Sequence, residues 1–285
     1  MTERDYYSVR TGKDPTGKRI ELPIMKRLFI SMYTNFENRG YFQEAFGYHC
    51  VDAGYVPGKC GVDIESYILR KIRKSNLWPI DKRCEYYDED TLFDMIEFLY
   101  DHVSKPTEGW YHYHGYCGMH WREFDKQLGQ EEFRANLNEL LRDYDYNGGW
   151  ELSQQGEVLP LPEDGMKPLL EQQLPHYDQM NIEARVDLAI QNFRSRRAST
   201  ADKRNAVREL VDVLEYLRPQ VKEVITDKDE ADLFNIANNF GIRHHRNNQK
   251  TRYDQSIWLD WMFYFYLATI HVVTRLIEKK EERNG

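Results

Sequence analysis

Cysteine is scarce in this chain of 285 residues, with four in all at Cys50, Cys60, Cys84 and Cys117. So few in so long a chain do not make the disulfide framework that small secreted domains use in place of a core. Also missing is a Gly-x-Gly-x-x-Gly or Walker loop after a strand, which leaves nucleotide hydrolysis without a phosphate cradle. Strand patterns do not alternate with helical ones, which argues against a doubly wound α/β enzyme. No nucleophile elbow supports Ser-His-Asp catalysis. Thr2 to Arg19 is polar and charged, so no secretory leader is expected there. Positive charge is in deficit as well. Lys and Arg number 39 against 47 Asp and Glu, a net charge of −8, and generic polyanion binding is excluded.

Hydrophobic residues make up 41% of the chain and aromatic residues 14%, enough for a packed interior. The length predicts two domains. Charge is uneven: Arg185 to Arg252 holds 14 Lys and Arg against 10 Asp and Glu, which favours a local anionic partner. Solvated helix faces are the alternative account of the same charges. The longest apolar run, Trp258 to Ile277, is interrupted by Asp260, His271 and Arg275, and its Tyr and Trp are not gathered into two belts. It reads as a buried core helix, so no membrane partner is expected and the expected location is cytoplasmic.

The apolar spacing predicts a mainly α fold with one short β-hairpin. Helices are expected over Pro23 to Arg39, over Ile64 to Ile72, after an Asp90 cap, and over Glu131 to Tyr144. Trp150-Glu151-Leu152-Ser153 and Val158-Leu159-Pro160-Leu161 flank a turn and read as the hairpin. Pro160, Pro162, Gly165 and Pro168 mark a boundary, giving an N-terminal domain of residues 1–165 and a C-terminal domain of residues 166–285. The second domain predicts a four-helix bundle: Ile182 to Phe193, Thr200 to Leu217, a segment from Asp229, and Ile257 to Ile277.

Two polar constellations stand out. The first is Ile236-Ala237-Asn238-Asn239-Phe240-Gly241-Ile242-Arg243-His244-His245-Arg246-Asn247, between the last two predicted helices. Imidazole exchanges protons near neutral pH, guanidinium binds phosphate bidentately, and Asn orients either. That set suits a phosphodiester; a polar helix cap is the plainer account. The second is Trp110-Tyr111-His112-Tyr113-His114-Gly115-Tyr116-Cys117-Gly118-Met119-His120-Trp121. His112, His114, Cys117 and His120 are four donors of the kind zinc takes. Their compact spacing lacks a second, separated ligand pair, and an ordinary aromatic loop is the favoured reading. His49-Cys50 and Cys60 are the further donors that would add to it.

The segment around Asn238, Gly241 and His244 resembles the Arg-Asn-x-x-Gly-x-x-His motif of HEPN domains, helical modules found in RNA-cleaving toxins and abortive-infection proteins. Ala237 stands where that motif has arginine. Asn138-Glu139-Leu140-Leu141 through Val158 is similar to the N-terminal domains attached to HEPN modules in AbiJ-type abortive-infection proteins. The resemblance implies a HEPN-like four-helix bundle, a homodimer, and RNA as partner. It implies metal-independent RNA cleavage needing no cofactor, with His244 or His245 as general acid or base. Arg243 or Arg246 would stabilise charge on the phosphate, and Asn238 would orient the histidine. Arg194, Arg196, Arg197 and Asn247 are the expected RNA contacts. The alternative expectation is a non-catalytic module that binds RNA, a nucleotide or a protein partner through the same residues; a third is a structural protein with the cluster at its dimer interface.

Overall fold

The computed structural model describes residues 7–11, 20–144, 149–162, 165–175, 178–195, 198–240, 242 and 254–284. Helices dominate, and the strands form small antiparallel pairs. The chain divides into two compact units, Met1–Leu161 and Pro162–Gly285. Each has its own hydrophobic core.

In the first unit, α1 (Leu22–Asn38) turns Met25, Phe29, Tyr33 and Phe36 inward at helical spacing. It packs against α5 (Lys126–Arg142), where Phe36 meets Phe133 edge to face at 5.4 Å. Helix α4 (Glu89–His102) also packs against α5 and buries Leu92, Phe93, Met95, Ile96, Phe98 and Leu99. Such wide burial marks it as the central helix of the unit. Its N-cap is Asp88, whose side chain accepts from the Thr91 amide; the expected cap, Asp90, sits in the first turn and complements the helix dipole. Helix α5 likewise starts earlier than Glu131, because Asp125 caps it by accepting from the Leu128 amide. Glu131 falls only in its second turn.

Among the described residues, three hairpins complete the unit. Strands β5 (Trp150–Leu152) and β6 (Val158–Pro160) pair as the expected hairpin, and Asn138 on α5 grips the edge of β5. The Asn138 side chain accepts from the Leu152 amide at 2.6 Å and donates to its carbonyl at 3.1 Å. The other two hairpins fall where no strand was expected. Strands β1 (Tyr48–Cys50) and β2 (Gly54–Val56) occupy a glycine-rich interruption. Strands β3 (Lys105–His112) and β4 (Gly118–Asp125) form the longest hairpin and contain the histidine-rich segment that read as a loop. Charged and aromatic residues on both of its faces hide the alternation from which strands are read.

The second unit is a helical bundle. Helix α7 (Thr200–Tyr216) packs against both α6 (Ala184–Arg194) and α9 (Gln255–Asn284), burying Ala206, Val207, Leu210, Val211, Val213 and Leu214. Its N-terminus is closed by a reciprocal box: the Ser199 hydroxyl accepts from the Asp202 amide and the Asp202 carboxylate accepts from the Ser199 amide. The cap is thus one residue before the expected Thr200. Phe193 and Phe263 stack at 3.8 Å to join α6 to α9. Helix α8 (Asp227–Asn239) is tied to α9 by the Tyr266 hydroxyl, which donates to the Leu233 carbonyl at 3.1 Å. Helix α9 has the length and composition to cross a bilayer, and half of its apolar window is buried within the unit. Leu259, Met262, Phe263, Tyr266, Leu267, Ile270, Val273 and Ile277 all face that core.

Candidate metal centre

The hairpin β3–β4 sets out the site. His112 lies opposite Gly118 and Trp110 opposite His120, so Trp110, His112 and His120 share one face. The His112 and His120 rings are 5.1 Å apart on that face. The connection between the strands then bends back on itself, with Gly115 and Tyr116 both in the left-handed region at φ 58° and 57°. Tyr116 is 93% exposed, so burial of its ring does not offset the cost of that backbone conformation. What the reversal achieves is the delivery of Cys117 to the histidine face. Gly118 follows at φ 99°, a conformation open to glycine.

A fourth donor comes from far away in sequence. Gln43 in the helical turn α2 (Gln43–Phe46) donates to the Met119 carbonyl at 3.1 Å and accepts from the Trp121 amide at 3.2 Å. Its amide thereby pairs with β4 as another strand would. Gly47 carries the chain from this turn into β1 at φ 79°, where an added Cβ would lie 2.0 Å from the Val56 carbonyl oxygen. Cys50 is thereby placed over the face of β3–β4, and the Cys117 thiol lies 3.7 Å from the His49 carbonyl oxygen.

Cys50, His112, Cys117 and His120 thus converge, with one donor atom from each lying within 4.8 Å of all the others. Cys50 Sγ is 3.7 Å from His112 Nδ1, and Cys117 Sγ is 3.1 Å from His120 Nε2. In a tetrahedral zinc site with Zn–S about 2.3 Å and Zn–N about 2.0–2.1 Å, a sulfur and a nitrogen stand about 3.5 Å apart. The two observed separations bracket that figure. Cys50 and His120 are buried, at 6% and 4% exposure, and the surrounding side chains are mostly aromatic. The Tyr48 ring lies 4.4 Å from His120 and Trp110 lies 5.4 Å from it. Burial, and next the neighbouring His112, push the His120 pKa down, which keeps its imidazole neutral as a metal ligand must be.

Beside the four donors, Asp52 meets two histidines. Its Oδ2 is 3.1 Å from His112 Nε2 and its Oδ1 is 2.7 Å from His114 Nδ1. The favoured reading of an ordinary aromatic loop therefore gives way to a converging donor set, which differs in one member from the four of the histidine-rich segment. His114 lies with Asp52, and Cys50 stands in its place to complete the four. Cys60 is buried in the apolar core, which pushes its thiol up to about 11, and it is not among the converging donors. The separated ligand, Cys50, is among the further donors in the sequence, and it reaches the other three through hairpins that the sequence did not announce.

The polar segment near the C-terminus is described only in part. Arg196, Arg197, Arg243, His244, His245, Arg246 and Asn247 lie outside the described residues. Asn238 is exposed in the last turn of α8, and Ala237 beside it is fully buried. Arg194 is half-buried at the end of α6. The Phe240 ring lies 4.8 Å from Trp258, which draws the end of α8 to the start of α9.

Comparison of the chain with protein-family models, with curated proteins and with solved structures gives no match in any of the three.

Proposed function

We propose that the first unit is a zinc-binding module in which one ion joins the hairpins β1–β2 and β3–β4 through Cys50, His112, Cys117 and His120. The observation that carries this reading is the convergence of these four donors within 4.8 Å. Two thiolates and two imidazoles in a compact set select zinc among the divalent ions. A two-iron cluster takes two Cys on one iron and two His on the other. Here each thiol is beside an imidazole instead, which fits a single ion. Four protein donors leave no position for water or substrate, so the ion's role is structural. Zinc would supply cohesion between two separate two-stranded hairpins, each marginal by itself. Protein purified without chelator is expected to hold about one zinc per chain, and Cys50→Ser and Cys117→Ser to lose it on purification and take it up only from excess zinc. Wild-type protein that neither retains zinc nor takes it up from solution would overturn the reading.

A second proposal concerns the second unit, which we infer to be a HEPN-like bundle of the abortive-infection type that cleaves RNA. The same residues serve a non-catalytic RNA-binding module if cleavage has been lost. The exposed placement of Asn238, at a junction drawn together by Phe240 and Trp258, supports this reading. Ala237 is fully buried, so an arginine there would need its guanidinium in the core. Cleavage chemistry on this chain therefore draws its arginine from Arg243 or Arg246. Pairing of two copies has support in an apolar stripe on α9, where Trp258, Trp261, Val272 and Leu276 are exposed on one flank. Chelator-resistant cleavage of an RNA pool, abolished by His244→Ala with the helical content unchanged, is the expected result. Cleavage that survives His244→Ala would contradict the catalytic reading. Intact RNA with no binding by the wild type would contradict both forms.

A further inference from the structure

Asp52, His112 and His114 also bring donor atoms within 4.8 Å of one another, and this second group shares His112 with the first. The two groups cannot both hold an ion through one neutral imidazole. A neutral ring has one nitrogen with a lone pair and one carrying hydrogen. His112 Nδ1 points to the Cys50 thiol and its Nε2 to the Asp52 carboxylate. With Nδ1 committed to the metal, Nε2 carries the proton and donates it to Asp52. The second group is then no separate site.

The geometry points to Asp52 as the positioning residue of the centre, an inference that rests on the zinc reading above. Asp52 selects the tautomer of His112 in which Nδ1 is free to ligate, and fixes the plane of the ring. A ligating histidine commonly has such a carboxylate on its other nitrogen, where it also raises the ring's basicity. Asp52 sits in the turn between Cys50 and β2, so one short hairpin supplies both a metal donor and the group that orients a second donor across the interface. His114 completes the arrangement. Its Nδ1 donates to the remaining Asp52 oxygen, and its side chain is 73% exposed. Both carboxylate oxygens are therefore engaged, which favours the orientation toward His112. The series from the metal donors through His112 and Asp52 to His114 passes from buried to exposed, at 24%, 53% and 73% side-chain exposure for its last three members.

The test is zinc competition against a chromophoric chelator, for wild type, Asp52→Ala, Asp52→Asn and His114→Ala, using the full chain. Asp52→Ala is expected to weaken zinc about 10- to 100-fold while still binding one ion at saturation. Asp52→Asn, which retains one acceptor oxygen, is expected to lose less, and His114→Ala least. Long-range proton–nitrogen NMR of zinc-loaded protein gives a readout that a mere loss of packing would not move. It should show His112 protonated at Nε2 in wild type. In Asp52→Ala the apo protein should show the two tautomers mixed. A wild type that binds zinc no more tightly than Asp52→Ala, or a His112 protonated at Nδ1 in the loaded protein, would overturn the role of Asp52 and leave the zinc reading standing. A wild type without zinc would overturn the zinc reading itself.

Discussion

The two units use polar residues in opposite ways. In the second, ionisable groups stay largely on the surface while α7 and α9 bury continuous apolar faces. His271 is the one buried histidine there among the described residues, and its Nδ1 has no hydrogen-bond partner. In the first unit, two thiols and two imidazoles converge beneath a pair of hairpins, with a carboxylate and a third histidine outside them. A helix satisfies its own backbone and needs only an apolar stripe to dock. A hairpin of three-residue strands buries little and needs a further tie. The difference teaches where a metal is useful in this chain: at the junction of its least self-sufficient elements.

The comparison breaks most visibly on removing the ion. At free zinc a thousandfold above its dissociation constant, binding stabilises the native first unit by about 4 kcal/mol. A strong chelator, or Cys117→Ser, is expected to lower the unfolding transition of that unit by this order and leave the second transition unchanged. Chemical denaturation followed by near-UV dichroism checks it; equal shifts in both transitions would merge the two units into one. The reciprocal change is Leu210→Ala, which opens a cavity in the second core and costs about 3 kcal/mol there. It is expected to leave zinc affinity untouched, as measured by chelator competition.

Smaller effects sharpen the contrast. Ser199→Ala removes half of the reciprocal cap on α7 and is expected to cost about 1 kcal/mol, again in the second transition alone. Burial in the first place, then the Arg275 charge, depresses the His271 pKa. Unfolding lets this ring bind a proton below the ordinary histidine pKa of about 6.5, so its contribution is intact above that pH and is lost as pH falls towards the folded value. Stability of the second unit measured from pH 7.5 to 5 should therefore fall less steeply in His271→Gln than in wild type. Identical slopes would assign the pH dependence to other groups.

How much of this was legible in the sequence depends on the range of the interactions. Helices α1, α3 (Ile64–Ile72) and α7 follow from apolar spacing, and the structure places them within about a residue of expectation. The hairpin of β5 and β6 was legible for the same reason, since its turn and both strands lie within one short stretch. Strand β3 was not. Its alternating faces carry Trp110 and His112 on one side and Gly109 and Tyr111 on the other, a pattern with no polar-to-apolar contrast. The centre was legible in three of its four donors, His112, Cys117 and His120, which share one hairpin. In the sequence Cys50 is only a further donor beside Cys60, and nothing local could choose between them, because 62 positions separate Cys50 from His112. His114 misled for the converse reason, being two positions from His112 in sequence while its ring turns outward to Asp52.

The most direct measurement is X-ray absorption at the zinc edge of the zinc-loaded chain. Two sulfur neighbours at about 2.3 Å and two nitrogen neighbours at about 2.0–2.1 Å are the predicted shell, with one sulfur lost in Cys50→Ser. A shell of nitrogen and oxygen alone, or one unchanged by Cys50→Ser, would contradict the centre described here.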